Sequence, residues 1–238
     1  MNRLNYNLAE LVGVIIGDGS ILYDKEKRIY RLEIAGNATE DIEYFNKLKE
    51  IINKISLSKN RAKIRFRKHK LGKSITLYIN NKNFIKYLIQ KLKLPSGEKT
   101  FSIKIPQKFL NWNVSKHILR GIFESDGSIY FSKSKLIKYP NYPRIEIKTS
   151  SKNLKKQIVK LLKQNNFKVQ TLDSNSDKTT KIYISGDIML NKWVKEIGVS
   201  SIKNQSKIAL FKKLGYYMPK STLEDRRKIL KGHINQYL

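Results

Sequence analysis

The chain has 238 residues, with 49 lysines and arginines against 19 aspartates and glutamates, a formal net charge of +30. That imbalance argues against an ordinary metabolic enzyme and for a polyanionic partner, while a hydrophobic share of 40% is enough for folded cores. The absence of cysteine excludes disulfides, thiol catalysis and cysteine-ligated zinc or iron–sulfur clusters, and His69, His117 and His233 show no metal-ligand spacing.

The apolar run Leu11 to Ile16 is far below the ~18 residues a bilayer span needs. Glu10 breaks the stretch after Met1, which argues against a signal peptide. The expectation is an intracellular chain with no membrane partner, of prokaryotic cytoplasm or an organelle. The Lys-, Ile- and Asn-rich composition suggests an AT-rich coding genome.

In chain order, apolar periodicity predicts a helix over 8–17 and a hairpin over 20–36. A second helix follows over Thr39 to Ile55, where Ile42, Phe45, Leu48, Ile51 and Ile52 fall at helical spacing. Strands are expected at 61–68 and 73–80, then a helix over 82–94 that Pro95 ends. The pattern recurs as a helix at 115–125, strands near 128–133 and 143–149, a helix at 152–165, strands near 167–172 and 179–185, and a helix at 187–197. Pro95, Gly97 and Pro106 mark the break between halves. Near the end, Ser221 and Glu224 have capping-box spacing before a short basic helix. This tail is expected to pack on the second half, the alternative being a solvated basic helix.

The recurrence is an internal repeat. Leu11-Val12-Gly13-Val14-Ile15-Ile16-Gly17-Asp18-Gly19-Ser20-Ile21 matches Leu119-Arg120-Gly121-Ile122-Phe123-Glu124-Ser125-Asp126-Gly127-Ser128-Ile129 at an offset of 108. Arg31-Leu32-Glu33-Ile34 answers Arg144-Ile145-Glu146-Ile147. The chain reads as α+β: two pseudo-symmetric αββαββα units, each with a four-stranded antiparallel sheet. They cover 1–97 and 114–211, with a linker at 98–113 and an extension at 212–238.

In the first motif helix only small residues, Ala9, Gly13 and Gly17, line one face, and the equivalent face in the second is His117, Gly121 and Ser125. Such faces let helix backbones approach closely. Packed together, they would bring Asp18 and Asp126 side by side at two helix C-termini, where the carboxylates repel each other and the dipole ends. A divalent cation relieves this, and Mg²⁺ binds through one or two carboxylates, waters and phosphate oxygens. The plain alternative is two core helices that each stop at an Asp-Gly turn.

The strands point to nucleic acid as well. Arg61, Lys63, Arg65 and Arg67 alternate with apolar residues, so one face is basic and the other packs. Ser74, Thr76, Tyr78 and Asn80 share such a face in the next strand, as do Arg144, Glu146 and Lys148, and Lys181 and Tyr183, in the second half. Arg28, Arg31, Tyr130, Lys168 and Gln170 complete the candidate DNA contacts. Arginine and lysine read guanine edges and asparagine and glutamine suit adenine, although a solvated sheet face shows the same alternation. Two ~35 Å units side by side would follow on the order of 20 base pairs of an asymmetric site.

Both motifs and both halves, over about residues 8–211, resemble the single-chain form of the LAGLIDADG homing endonucleases. The resemblance implies a double-strand DNA cleaver using Mg²⁺, with Mn²⁺ or Ca²⁺ able to substitute in binding. It implies saddle-shaped sheets, a long target, short 3′ overhangs, and intron homing. By the same resemblance Asp18 and Asp126 bind metal, assisted by the carbonyls of Gly17 and Ser125, and Lys99 and Lys203 are the basic residues that follow each half's last repeat helix. Ile16 and Glu124 depart from each other at the motif's first acid position. Gly36-Asn37 and Thr149-Ser150 stand where the family often has a Gln near the hydrolytic water. A non-cleaving DNA-binding regulator, or an intron-RNA maturase, is the alternative on the same scaffold. No splicing-type residues flank the pattern, which favours a free-standing or intron-encoded chain over an intein. A monomer is expected, because the pseudo-dimer is already covalent.

Overall fold

A computed structural model describes residues 3–57, 59–69, 72–133, 137–174, 176 and 178–238. Met1, at the edge of the expected first unit, lies outside them. The first half runs α1 (Arg3–Ile16), β1 (Gly19–Asp24), β2 (Ile29–Asn37), α2 (Ile42–Ser56), β3 (Lys63–His69), β4 (Gly72–Asn80) and α3 (Lys82–Lys86). The second runs α4 (Trp112–Asp126), β5 (Gly127–Ser132), β6 (Tyr142–Thr149), α5 (Lys152–Gln164), β7 (Val169–Ser174), β8 (Thr179–Ser185) and α6 (Asp187–Glu196), followed by α7 (Ile202–Leu214) and α8 (Leu223–Leu230). The two antiparallel sheets have the same order, β1-β2-β4-β3 and β5-β6-β8-β7.

Alternation builds each sheet's two sides. Leu32 and Ile34 of β2, Ile75, Leu77 and Ile79 of β4, and Ile145, Ile147, Ile182 and Ile184 of β6 and β8 are all buried. Helices cover that apolar side: α2 through Tyr44, Phe45, Leu48, Ile51 and Ile52, α5 through Leu154, Ile158, Leu161 and Leu162. One core runs through both halves, with α1 and α4 at its centre.

Local chemistry adjusts several expected bounds. The second helix starts at Ile42, not Thr39, because Asn37 Oδ1 accepts the Thr39 and Glu40 amides at 2.8 and 3.2 Å and holds them in a turn. The expected helix over 82–94 is only Lys82–Lys86 as α-helix and then widens into a π-turn over Tyr87–Lys91. β7 begins at Val169, since Phe167 is drawn into the core, 3% exposed. The capping box is Thr222 with Asp225, one residue beyond Ser221 and Glu224, and both reciprocal bonds form.

The tail does not rest on the second half alone. α8 packs on α7, but the buried Arg226 reaches Glu40 of the first half at 3.3 Å and also donates to Ser206, Tyr217 and Ser221. Arg227 pairs with Glu43. Further along α2, fully buried Glu10 of α1 accepts from Tyr44 and Lys47, and from the Arg120 guanidinium of α4, at 2.9–3.2 Å. Arg120 and Lys47 hold the Glu10 carboxyl below its ordinary pKa against the opposing pull of burial.

Candidate metal-dependent nuclease site

The small helix faces meet as their spacing predicts. A methyl group on Gly13 would lie 2.1 Å from the Ile118 carbonyl oxygen and 2.9 Å from Gly121 Cα, and one on Gly121 would lie 2.1 Å from the Glu10 carbonyl oxygen. Both are backbone contacts, so α1 and α4 touch at a separation that only glycine permits. One turn on, a methyl on Gly17 would strike Ser125 Oγ at 2.0 Å and stand 3.1 Å from Asp126 Oδ2. The Asp126 carboxylate therefore lies against the end of α1. Asp126 is the last residue of its helix, whereas α1 stops at Ile16 and Asp18 follows in the turn before β1. His117 occupies the far end of the small face, where its ring stacks on Tyr6 at 4.4 Å.

Charge crowds at this end. Burial first, then repulsion from Asp18, pushes the Asp126 carboxyl up to about 6. Asp18 is more open to water, yet desolvation and nearby Asp41 raise it too, against the pull of Lys99 and Lys203. The Lys99 ammonium donates to the carbonyl oxygens of Ile15, Ile16 and Gly17 at 2.5, 2.7 and 2.6 Å, a cation on the negative end of α1. Burial lowers Lys99 to about 8 although Asp126 and Asp18 oppose the shift. An opening of about 280 Å³, bordered by Gly17, Lys99, Asp126, Lys148, Thr149 and Ser150, gives access to these groups.

The two lysines are not equivalent. Lys203 does not bond the carbonyls at the end of α4. It pairs with Asp41 at 3.1 Å, next to Asp18. Asp41, which the sequence reading did not single out, precedes α2 and accepts the Asn37 amide at 2.8 Å; the only trace in the sequence is its place in Thr39-Glu40-Asp41. Asn37 is engaged in its own turn. Thr149 accepts the Ser151 amide at 3.2 Å and borders the opening with Ser150.

Among the described residues no group of three or more His, Asp or Glu side chains converges to cage a metal. What the site offers is two crowded carboxylates of raised pKa, Asp126 on the opening and Asp18 exposed to solvent. That suits a hard divalent cation completing its shell with water and phosphate oxygens, as Mg²⁺ does.

Each sheet has a polar face, and Lys148 of the second one borders the opening. Pairing places Arg31 beside Asn80, Glu33 beside Tyr78, Lys63 beside Tyr78, Arg65 beside Thr76 and Arg67 beside Ser74. In the second sheet Tyr130 pairs with Arg144, Glu146 with Tyr183, Lys148 with Lys181 and Gln170 with Tyr183. Arg61 lies just outside β3, Lys168 just before β7, and Arg28 in the β1–β2 turn at a positive φ of 53°. The row is partly self-neutralised: Glu33 faces Arg31 and Arg65 at 3.4 and 3.7 Å, and Glu146 faces Lys181 at 3.9 Å. Arg65 also stacks over Tyr78. The expectation that the other face of β3 packs fails at Phe66, which is 59% exposed on this edge strand. Leu172, 58% exposed, interrupts the polar row of β7. No helix among the described residues is long and apolar enough to cross a membrane.

Two family models match the chain, one in each half. Residues 8–102 match the WhiA LAGLIDADG-like domain and residues 113–198 the LAGLIDADG-like domain. The fold is similar to that of the homing endonuclease I-DmoI, at 20% identity and a TM-score of 0.57 over 84% of this chain and 98% of that one. I-DmoI has also been solved with DNA and Mn, at 19% identity, a TM-score of 0.57, and 83% and 99% coverage. Full-length WhiA from Thermatoga maritima matches at 17% identity and a TM-score of 0.55 over 84% of this chain and 57% of that one. A curated relative, the replication factor C small subunit of Methanocaldococcus jannaschii, is 33% identical over 129 residues, 50% of this chain. The match spans only 7% of that relative's length. With a LAGLIDADG-like domain matched on each side of the α1–α4 contact, the chain belongs to the LAGLIDADG proteins in their single-chain, two-motif form.

Proposed function

We infer that the chain is a site-specific DNA endonuclease that hydrolyses phosphodiesters with divalent metal at the paired ends of α1 and α4. The observation that carries this is the juxtaposition of Asp126 with the end of α1, with both motif carboxyls raised and Lys99 beside them. Asp18 and Asp126 would hold Mg²⁺, or Mn²⁺ or Ca²⁺ in binding, with the Gly17 and Ser125 carbonyls as neighbouring donors. When bound, the metal supplies an activated water and charge stabilisation for the leaving oxygen.

The chain's own groups act around it. Lys99 fixes the α1 terminus through three carbonyls and sets a positive charge beside the scissile phosphate's expected place. Lys203 bonds no helix carbonyl; oriented by Asp41, it sets a second positive charge on the Asp18 side. The open sheet faces position double-stranded DNA, with Arg31, Lys63, Arg65, Arg67, Arg144, Lys148 and Lys181 on phosphates and base edges. The two halves present different side chains, so the target is long, about 20 base pairs, and asymmetric. Short 3′ overhangs and intron homing follow if the chain works as the endonucleases it resembles. A monomer carries both halves of the site.

A second reading has one specific support: the first half matches the WhiA domain model, which favours a DNA-binding regulator that does not cut. Selection of bound duplexes from a randomised library, followed by incubation of the selected DNA with Mg²⁺, separates the two. Double-strand cuts at one site support the nuclease. Tight, salt-sensitive binding without cutting establishes the regulator.

A further inference from the structure

The face of α5 turned away from its sheet carries a row of lysines that takes no part in the metal site or the sheet faces. Lys152, Lys156, Lys160 and Lys163 recur at spacings of four, four and three residues and are all exposed. At 100° per residue they fall within ~80° of one another along ~16 Å of helix. The buried side of the helix, Leu154, Ile158, Leu161 and Leu162, lies opposite and covers the apolar face of the second sheet. The stripe therefore points away from the side on which Arg144, Lys148 and Lys181 are exposed.

Among the described residues these charges are left almost without counterions, Lys152 alone acting on a carboxylate, Asp173, through space. None of the four lysines makes a hydrogen bond or ion pair among the described residues. Asp173, the acid near the N-terminal end of α5, is held by Lys155 at 2.6 Å. The helix contains no carboxylate. Its first turn carries Lys152, a cation at the end where the helix dipole opposes it, and like charges four residues apart work against the helix.

The repeat shows that the fold does not require the stripe. Leu154, Ile158, Leu161 and Leu162 align with Tyr44, Leu48, Ile51 and Ile52 of α2 at an offset of 110, which sets Lys152, Lys156, Lys160 and Lys163 against Ile42, Asn46, Glu50 and Asn53. The first unit makes the same helix with one acid and no base at these places.

We propose that the Lys152–Lys163 stripe of α5 is a second nucleic-acid surface that binds the phosphate backbone of a double helix on the side opposite the open sheets. A straight row of point charges fits a regular backbone. α5 carries no aromatic residue on which unstacked bases could lie, as single strands require. Phe101, exposed nearby, stands at the N-terminal end of the helix beside Lys152 and Lys156, on a cavity rather than within the stripe. The contact is sequence-independent, so with DNA on the sheet faces one molecule can hold two duplexes. This bridging rests on the sheets being DNA-binding; the stripe itself does not.

The test is capture of a fluorescent 40-base-pair duplex by protein held on a bead-bound duplex, using wild type and the variant Lys152→Gln, Lys156→Gln, Lys160→Gln, Lys163→Gln. A control variant replaces Lys54, Lys91, Lys93 and Lys220, exposed and scattered over other segments. The proposal expects wild type and control to capture the second duplex and the stripe variant to lose it. It expects the stripe to contribute about 3–4 to the log–log salt slope of capture, near 0.9 per lysine. Equal loss in both variants, or capture that survives in the stripe variant, overturns it. No capture by wild type overturns the bridging. If wild type binds one duplex and the stripe variant none, the sheet reading fails and the stripe stands. Double-stranded RNA in place of the second DNA reads which helix is preferred, and capture of single-stranded RNA alone overturns the assignment.

Discussion

Replacing Asp126 by Asn should stabilise the folded protein while removing the proposed cutting activity. A carboxyl whose folded pKa lies above its unfolded value penalises folding. The penalty is absent below the unfolded value of 3.8, grows as pH rises toward about 6, and is complete above that. The shift of about 2 units sets an upper bound of about 3 kcal/mol. Because solvent reaches the half-buried side chain, about 1–2 kcal/mol is the expected gain. For a chain of this length that raises Tm by about 3–6 °C near pH 8, and the gain falls to about a third of that by pH 4.5. Thermal unfolding followed by circular dichroism in metal-free buffer at the two pH values measures both numbers. A variant no more stable than wild type at pH 8, or one whose advantage grows on acidification, would refute the electrostatic account of this site.

Gly121→Ala should cost about 3 kcal/mol, since its methyl meets the Glu10 carbonyl and Gly13 Cα and forces α1 from α4; denaturant titration checks it. Arg226→Met should lose about 2 kcal/mol and admit protease near α8, because bonds to Ser206, Ser221 and Glu40 vanish together. Among the described residues His117 has both ring nitrogens buried without partners, and burial lowers it to about 4. The unfolded chain therefore takes up the proton first, and stability falls from about pH 6.5 down to about 4. His117→Phe should remove about 1 kcal/mol of that fall, seen as flatter Tm against pH.

Much of this was legible because repetition multiplies weak signals. One Asp-Gly helix stop is ordinary, but two at an offset of 108, each beneath a row of small residues, specify a close helix pair with acids at one end. Strand alternation likewise gave the sheet faces and their basic rows. What the sequence could not give are contacts between distant segments. The family resemblance picked out Lys99 by its place after the last helix of the first half, but the three carbonyls it meets are visible only in the fold. Asp41 joins the site through Lys203, 162 residues away. Arg226 ties the tail to the first half through Glu40, which no local pattern encodes. Phe66 has strand periodicity, but its strand's place at the sheet edge, set by the pairing of distant segments, leaves it exposed.

The central claim is that Asp18 and Asp126 together support metal-dependent hydrolysis. Its most direct test is strand cleavage of DNA selected by wild type, with and without Mg²⁺, comparing wild type with the Asp18→Asn, Asp126→Asn double variant at matched binding. The account predicts that wild type cuts both strands only with metal, and that the double variant binds the same DNA without cutting it. Cutting by the double variant at the wild-type rate would contradict the account.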